Sequence, residues 1–180
     1  MDNDIDLLHR LKSEKTKEAA FKELLKLYKE RLYWHIRNIV KSHDDADDVL
    51  QNTFIKVYRN IHSFKGESKL FSWMYRIATN EAITHLNQNA KRQNMTSEAL
   101  QNQRINQLKA DVYFEGDEIQ LKLQKAIATL PEKQQLVFNM KYFQELKYKD
   151  MSEILDTSEG ALKASYHIAV KKIEDYLTED

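Results

Sequence analysis

Seven residues between positions 69 and 91 share one side of a helix: Lys69, Trp73, Arg76, Asn80, Thr84, Asn87 and Lys91, at intervals of 4, 3, 4, 4, 3 and 4. The face carries an indole ring, a guanidinium, two amides, two ammonium groups and no carboxylate. Bases stack on aromatic rings, amides hydrogen-bond base edges, and Lys/Arg neutralise phosphates. One stacked base contributes on the order of 1–3 kcal/mol. The chemistry offered is therefore nucleic-acid binding. Leu70, Met74 and Ile77, with Phe71, Tyr75, Ala78, Ala82 and Leu86, already supply the helix with apolar stripes. A plainer reading stands beside the first: Trp73 as a core residue and the rest as solvated surface. Lys56 and Arg59, on the preceding helix, add basic charge.

Two further patterns matter. Four of the five residues from Asp44 to Asp48 are acidic and open a helix, with Asp44, Asp48 and Gln51 on one face. Acids there favour the helix dipole, and they can equally dock a basic protein partner. Near the other end, Tyr148–Leu155 and Glu159–Thr178 read as two helices. A three-residue turn, Asp156-Thr157-Ser158, joins them, with Ser158 or Thr157 as N-cap. Met151, Ile154 and Leu155, then Ala161, Leu162, Ser165, Ile168, Ala169 and Ile173, form their expected seam. A short turn leading into a helix that carries Lys171 and Lys172 is a helix-turn-helix pattern, although plain antiparallel pairs look similar.

The surrounding elements are helical. Only 3 glycines and 1 proline occur in 180 residues, which leaves little turn chemistry for hairpins. Helical apolar spacing runs over about Lys17–Lys41, then from Val49 to Ile61, and over about Lys69–Lys91. The loop between the second and third is His62–Ser68, containing Gly66. Residues 93–116, rich in Gln and Asn, read as a flexible linker. Helices follow at about Asp117–Thr129 and Pro131–Phe143, Pro131 suiting a first helical position, ahead of the pair above. The expected architecture is all-α: one helical domain over 1–92, the linker, and a helix-turn-helix domain over 117–180.

Composition excludes much else. There is no cysteine, so no disulfide, thiolate catalysis or cysteine-bound zinc. Neither a signal peptide nor a membrane-length apolar run is visible, which predicts a cytoplasmic protein without membrane insertion. Net charge is zero with 28 residues of each sign, yet residues 49–92 hold seven Lys/Arg against two acids, beside the acidic run. No glycine-rich phosphate loop is present. His43/Asp47 and Glu81/His85 are i, i+4 pairs, each at most half a metal site. No catalytic residue, cofactor or metal is expected. A conventional helix-turn-helix regulator with a helical dimerisation domain would explain the C-terminal end but not the acidic helix, the loop and the Trp/Arg/Asn face together.

These pieces, in this order, resemble the extracytoplasmic-function sigma factors of bacterial RNA polymerase. DDADDVLQNTFIKVYRNIHSFKGESKLFSWMYRIATNEAITHL (Asp44–Leu86) is similar to the family's second conserved region. LPEKQQLVFNMKYFQELKYKDMSEILDTSEGALKASYHIAVKKI (Leu130–Ile173) is similar to its fourth. The resemblance implies that Asp44, Asp47, Asp48, Gln51 and Phe54 dock on the polymerase β′ clamp helices. It implies that Phe64, Lys65, Gly66, Glu67 and Ser68 hold a base flipped from the −10 element. Trp73, Arg76 and Asn80 would lie beside the melting duplex, with Lys56 nearby. The last helix would enter the −35 major groove through Ser158, Glu159, Gly160, Lys163, Ser165, Tyr166 and His167, with Lys171 and Lys172 reaching phosphates. The linker would thread the RNA exit channel, the C-terminal domain would touch the β flap, and an anti-sigma protein would hold the factor inactive. ASYHIAVKK lacks arginines common in the family's recognition helix, which implies an unusual −35 preference. Asp156 stands where the family often has glycine and tolerates the left-handed conformation.

Overall fold

The computed structural model describes residues 2–92 and 118–178, with side chains from residue 4 onward. The residues expected to form the linker, 93–116, lie outside that set. The described residues form eight α-helices: α1 (Asp2–Lys12), α2 (Lys17–Val40), α3 (His43–Asn60), α4 (Leu70–Arg92), α5 (Glu118–Thr129), α6 (Glu132–Tyr142), α7 (Tyr148–Leu155) and α8 (Glu159–Thr178). A single 3₁₀ turn, Ile61–Ser63, follows α3. The all-α expectation holds, and most helix bounds fall within a residue or two of the sequence reading.

The helix ends have local causes. Lys41 adopts a left-handed conformation (φ 65°) and closes α2 by donating its N–H to the Arg37 carbonyl. Ser42 then caps α3, its side chain accepting from the Asp45 N–H at 3.3 Å. Pro131 sits one position earlier than expected, at the N-cap of α6. Asp156 is left-handed (φ 51°), and Ser158 Oγ accepts from the Ala161 N–H at 3.3 Å. The sequence therefore fixes both ends of the helix-turn-helix turn.

Helix α1 is an addition to the sequence reading. Leu7 and Leu11 are fully buried, and Arg10 pairs with Asp6 and with Glu23 of α2, each at 2.8 Å. Basic residues in the last turn also suit the helix dipole. Helices α2, α3 and α4 pack mutually around Leu24, Leu32, Ile36, Val49, Val57, Met74 and Ala78.

The C-terminal helices do not stand apart. Val137, Met140, Leu146, Met151, Ile154 and Leu162 join the apolar cluster of α1–α4. Only Ala126, Ile127, Leu130, Phe138, Ala169 and Ile173 form a second cluster, among α5, α6 and α8. A helical unit of about 60 residues buries a smaller share of its surface than a larger domain does. Here part of its apolar surface is covered by α2 and α4. Four expected seam residues lie elsewhere: Ala161 and Ile168 are exposed, and Ala169 and Ile173 pack in the second cluster with α5 and α6.

Candidate nucleic-acid interface

The α4 face exists, and both readings of Trp73 are partly right. Its ring is half-buried against the core and lies 5.1 Å from Phe64, tilted by 38°. Phe64 is buried rather than projecting from the loop, which corrects its expected role as a direct contact. It forms a wall. Lys65, Gly66 and Glu67 are exposed and Ser68 is half-exposed. Gly66 has φ 78°, a conformation that glycine adopts without a Cβ penalty. Loop, Trp73 and Arg76 enclose a cleft of about 440 Å³, closed on one side by Glu153 of α7.

Helix α1 steadies this loop. Lys12 Nζ donates to the Phe64 carbonyl at 2.6 Å. The sequence signal was available, since Leu7, Leu8 and Leu11 recur at helical spacing, but so short a run beside so many charges carries little weight by itself.

Two cations of the face, Lys69 and Arg76, are occupied. Lys69 Nζ lies 2.5 Å from Asp150 Oδ1, and this hydrogen bond raises the ammonium pKa. Arg76 donates from Nε to the Glu153 carbonyl at 3.1 Å and from a terminal nitrogen to the same oxygen. Asn80 is exposed but lines a second cleft opposite Ser165, Leu162 and Asp156. Thr84, Asn87 and Lys91 remain exposed. Lys56, expected to add charge toward the −10 side, is paired with Glu81 of α4. A carboxylate close by on the neighbouring helix takes that charge.

The acidic start of α3 divides its labour. Asp45 lies 2.9 Å from His85 Nε2, and Asp47 3.7 Å from His43 Nε2. Asp44, Asp48 and Gln51 are exposed on the outer face, as their spacing predicted. Phe54 is buried (7% exposed), edge-on to Phe21 at 6.2 Å. It forms the floor of an apolar groove with Leu25, Ile55 and Tyr58, not a protruding contact. Because Asp45 and Lys56 are the partners of His85 and Glu81, and His43 lies 2.7 Å from the Tyr33 hydroxyl, both i, i+4 pairs have structural employment. Among the described residues no three His, Asp or Glu gather as a metal site.

On α8, Glu159, Gly160, Lys163, His167, Lys171 and Lys172 are exposed, as is Ser158 in the turn before it. Lys163 lies over the Tyr148 ring, and Lys172 reaches Gln134 at 3.3 Å. Tyr166 is half-buried, stacked on Phe138 at 5.8 Å, and burial raises its phenol pKa. Ser165 is half-buried and faces α4 across the second cleft. Tyr166 and Ser165 thus depart from the expectation of freely projecting contacts, because Phe138 of α6 covers Tyr166 and Ser165 is turned into the cleft toward α4.

One buried polar contact ties the halves together. His35 is fully buried, with Nδ1 3.1 Å from Gln144 Oε1 and Nε2 2.8 Å from Thr79 Oγ1. Burial pushes its pKa down to about 4, the Gln144 contact opposing slightly, so the ring is neutral near pH 7. Asn139 donates to the Asn38 carbonyl at 3.3 Å.

An all-helical protein with a helix-turn-helix and an aromatic, basic and amide-bearing face on a separate helix belongs, by class, with the DNA-binding proteins. Known proteins narrow this. Residues 24–92 match the Sigma-70 region 2 family, and residues 120–173 match Sigma-70, region 4. The chain is 30% identical over 166 residues to the ECF RNA polymerase sigma-E factor of Haemophilus influenzae, covering 88% of this chain and 87% of that one. It is 29% identical over 162 residues to the ECF RNA polymerase sigma factor SigW of Bacillus subtilis, covering 86% and 87%. The fold is shared with CnrH, solved in complex with the cytosolic domain of CnrY, at TM-score 0.71, 17% identity and 98% coverage of both chains. It is shared also with the sigma factor RpoE of Bartonella quintana, solved with the anti-sigma factor NepR, at TM-score 0.66, 20% identity and coverage of 89% and 98%. The chain belongs to the extracytoplasmic-function (ECF) RNA polymerase sigma factors.

Proposed function

We propose that this sigma factor binds core RNA polymerase through the outer face of α3, directs it to −10 and −35 promoter elements, and helps open the duplex. Asp44, Asp48 and Gln51 meet the β′ clamp helices, with the groove over Phe54 beside them. The loop 64–68 with Trp73, Arg76 and Asn80 receives the unpaired non-template strand of the −10 element. Helix α8 enters the −35 major groove through Ser158, Glu159, Gly160, Lys163 and His167, with Ser165 and Tyr166 beside them, and Lys171 and Lys172 reach phosphates. Residues 1–92 thus act as the region 2 domain and 117–180 as the region 4 domain, which also touches the β flap. Residues 93–116 connect them along the RNA exit channel. The factor supplies no active site of its own; captured bases offset the cost of unpairing. Its place is the cytoplasm, and no described helix is long and apolar enough to cross a membrane. An anti-sigma protein holds it inactive; the structurally similar sigma factor RpoE of Bartonella quintana is bound by such a protein, NepR.

The observation that carries this reading is the joint presence, in family order, of the exposed acidic α3 face, the Phe64–Trp73 cleft and the capped helix-turn-helix. Co-purification with core polymerase tests it. A stable one-to-one complex is the expected result. A homodimer that binds duplex DNA and ignores core polymerase would overturn it in favour of a conventional helix-turn-helix regulator.

A further inference from the structure

The residues of α4 assigned to DNA are not facing solvent unopposed. Asp150, in the first turn of α7 and 9% exposed, holds Lys69 at 2.5 Å. The Glu153 carbonyl takes two hydrogen bonds from the Arg76 guanidinium. Glu153 also lines the Phe64–Trp73 cleft, and its Oε2 is buried with no hydrogen-bond partner among the described residues. An ammonium and a guanidinium on an open helix face are phosphate ligands. In this conformation oxygens of the chain itself occupy them.

We propose that the acidic edge of α7, Asp150 and Glu153, is an intramolecular competitor of DNA: it takes the place of phosphate and base on the α4 face and holds that face closed until nucleic acid displaces it. This rests on the assignment of the α4 face to promoter DNA. Three features fit a displaceable contact. The Lys69 side chain is 55% exposed, so its pair with Asp150 is largely screened and contributes little. One oxygen of the Glu153 carboxylate, Oε2, is buried with no hydrogen-bond partner among the described residues, a cost that opening relieves. Both acids belong to one short helix, α7, packed on the α1–α4 cluster through Met151 and Ile154, so one movement of that helix releases both and must also part this apolar contact. A ligand shifts such an equilibrium only by its differential affinity for the two states, which here is the affinity of the uncovered face for DNA.

The test uses the full chain. It has no cysteine, so Asn52→Cys on α3 and Glu174→Cys on α8, both exposed, accept a donor–acceptor dye pair. Transfer efficiency and the binding of a randomised 12-nucleotide single-stranded DNA are measured with and without Asp150→Lys. Asp150→Asn serves as the milder variant, and circular dichroism checks the helical content of both. Expected are lower transfer and about fivefold tighter DNA binding for Asp150→Lys, with Asp150→Asn between it and the parent. Equal DNA binding by parent and both variants overturns the competition while leaving the α4 face as the DNA site. Lower transfer with no DNA binding by any form overturns the α4 assignment and the competition with it.

Discussion

The outer face of α3 and the polar face of α4 are both legible as helical stripes, yet the fold treats them differently. The α3 face leaves Asp44, Asp48 and Gln51 in solvent. The α4 face has Lys69 and Arg76 engaged by α7 and its aromatic ring folded against Phe64. A stripe in sequence shows which side chains point together. It does not show what the rest of the chain lays over them. In the proposed mechanism this difference sets an order: the polymerase-docking face is available in the closed form, whereas the DNA face must first be uncovered.

The largest way to disturb the comparison is through the contact that holds the halves together. His35 has its pKa lowered to about 4 from an ordinary 6.5 by burial. The unfolded chain binds the proton more readily between those values, so stability is fully present above about pH 6.5 and falls as pH drops through 4. The loss amounts to about 3 kcal/mol. Thermal melts from pH 7 to pH 4 should show it, and His35→Gln should flatten this part of the profile while lowering stability at pH 7.

Next in size, Asp48→Lys places like charge against a basic docking partner and should weaken core-polymerase binding about a hundredfold. Titration by fluorescence anisotropy measures this, and the helix content should be unchanged because Asp48 is exposed. Trp73→Ala should leave core binding intact and reduce open complex about tenfold, one stacked base being lost. Permanganate footprinting reports this; normal opening in the variant removes Trp73 from the mechanism. The smallest effect is expected for Lys12→Met, which frees the Phe64 carbonyl and the start of the loop. It should lower stability by about 1 kcal/mol and weaken open complex severalfold, with Lys12→Arg restoring both.

Most of the fold was readable because its cues are local. Apolar spacing placed the long helices, Ser158 placed a cap, and Asp156 identified a left-handed turn residue. What escaped was tertiary. Helix α1 is short and heavily charged, and its two buried leucines make sense only against the bundle. Phe54 and Phe64 read as contacts by resemblance but are needed as floor and wall of their clefts. Lys56 looked free until Glu81 of the next helix lay beside it. The sharing of one core between the two halves, through Met151, Ile154 and Leu162, could not be told from ordinary amphipathic packing within a separate domain.

The central claim, that α3 docks on polymerase while α4 and α8 read the promoter, is tested most directly by run-off transcription. Core polymerase is combined with the chain on genomic DNA fragments, with Asp48→Lys and Trp73→Ala in parallel. Discrete transcripts that require the wild-type chain, are lost with Asp48→Lys at low concentration and recover at high concentration, and stay weak with Trp73→Ala at any concentration, are the predicted result. Transcripts unaffected by either substitution, or none with the wild-type chain on any fragment, would contradict it.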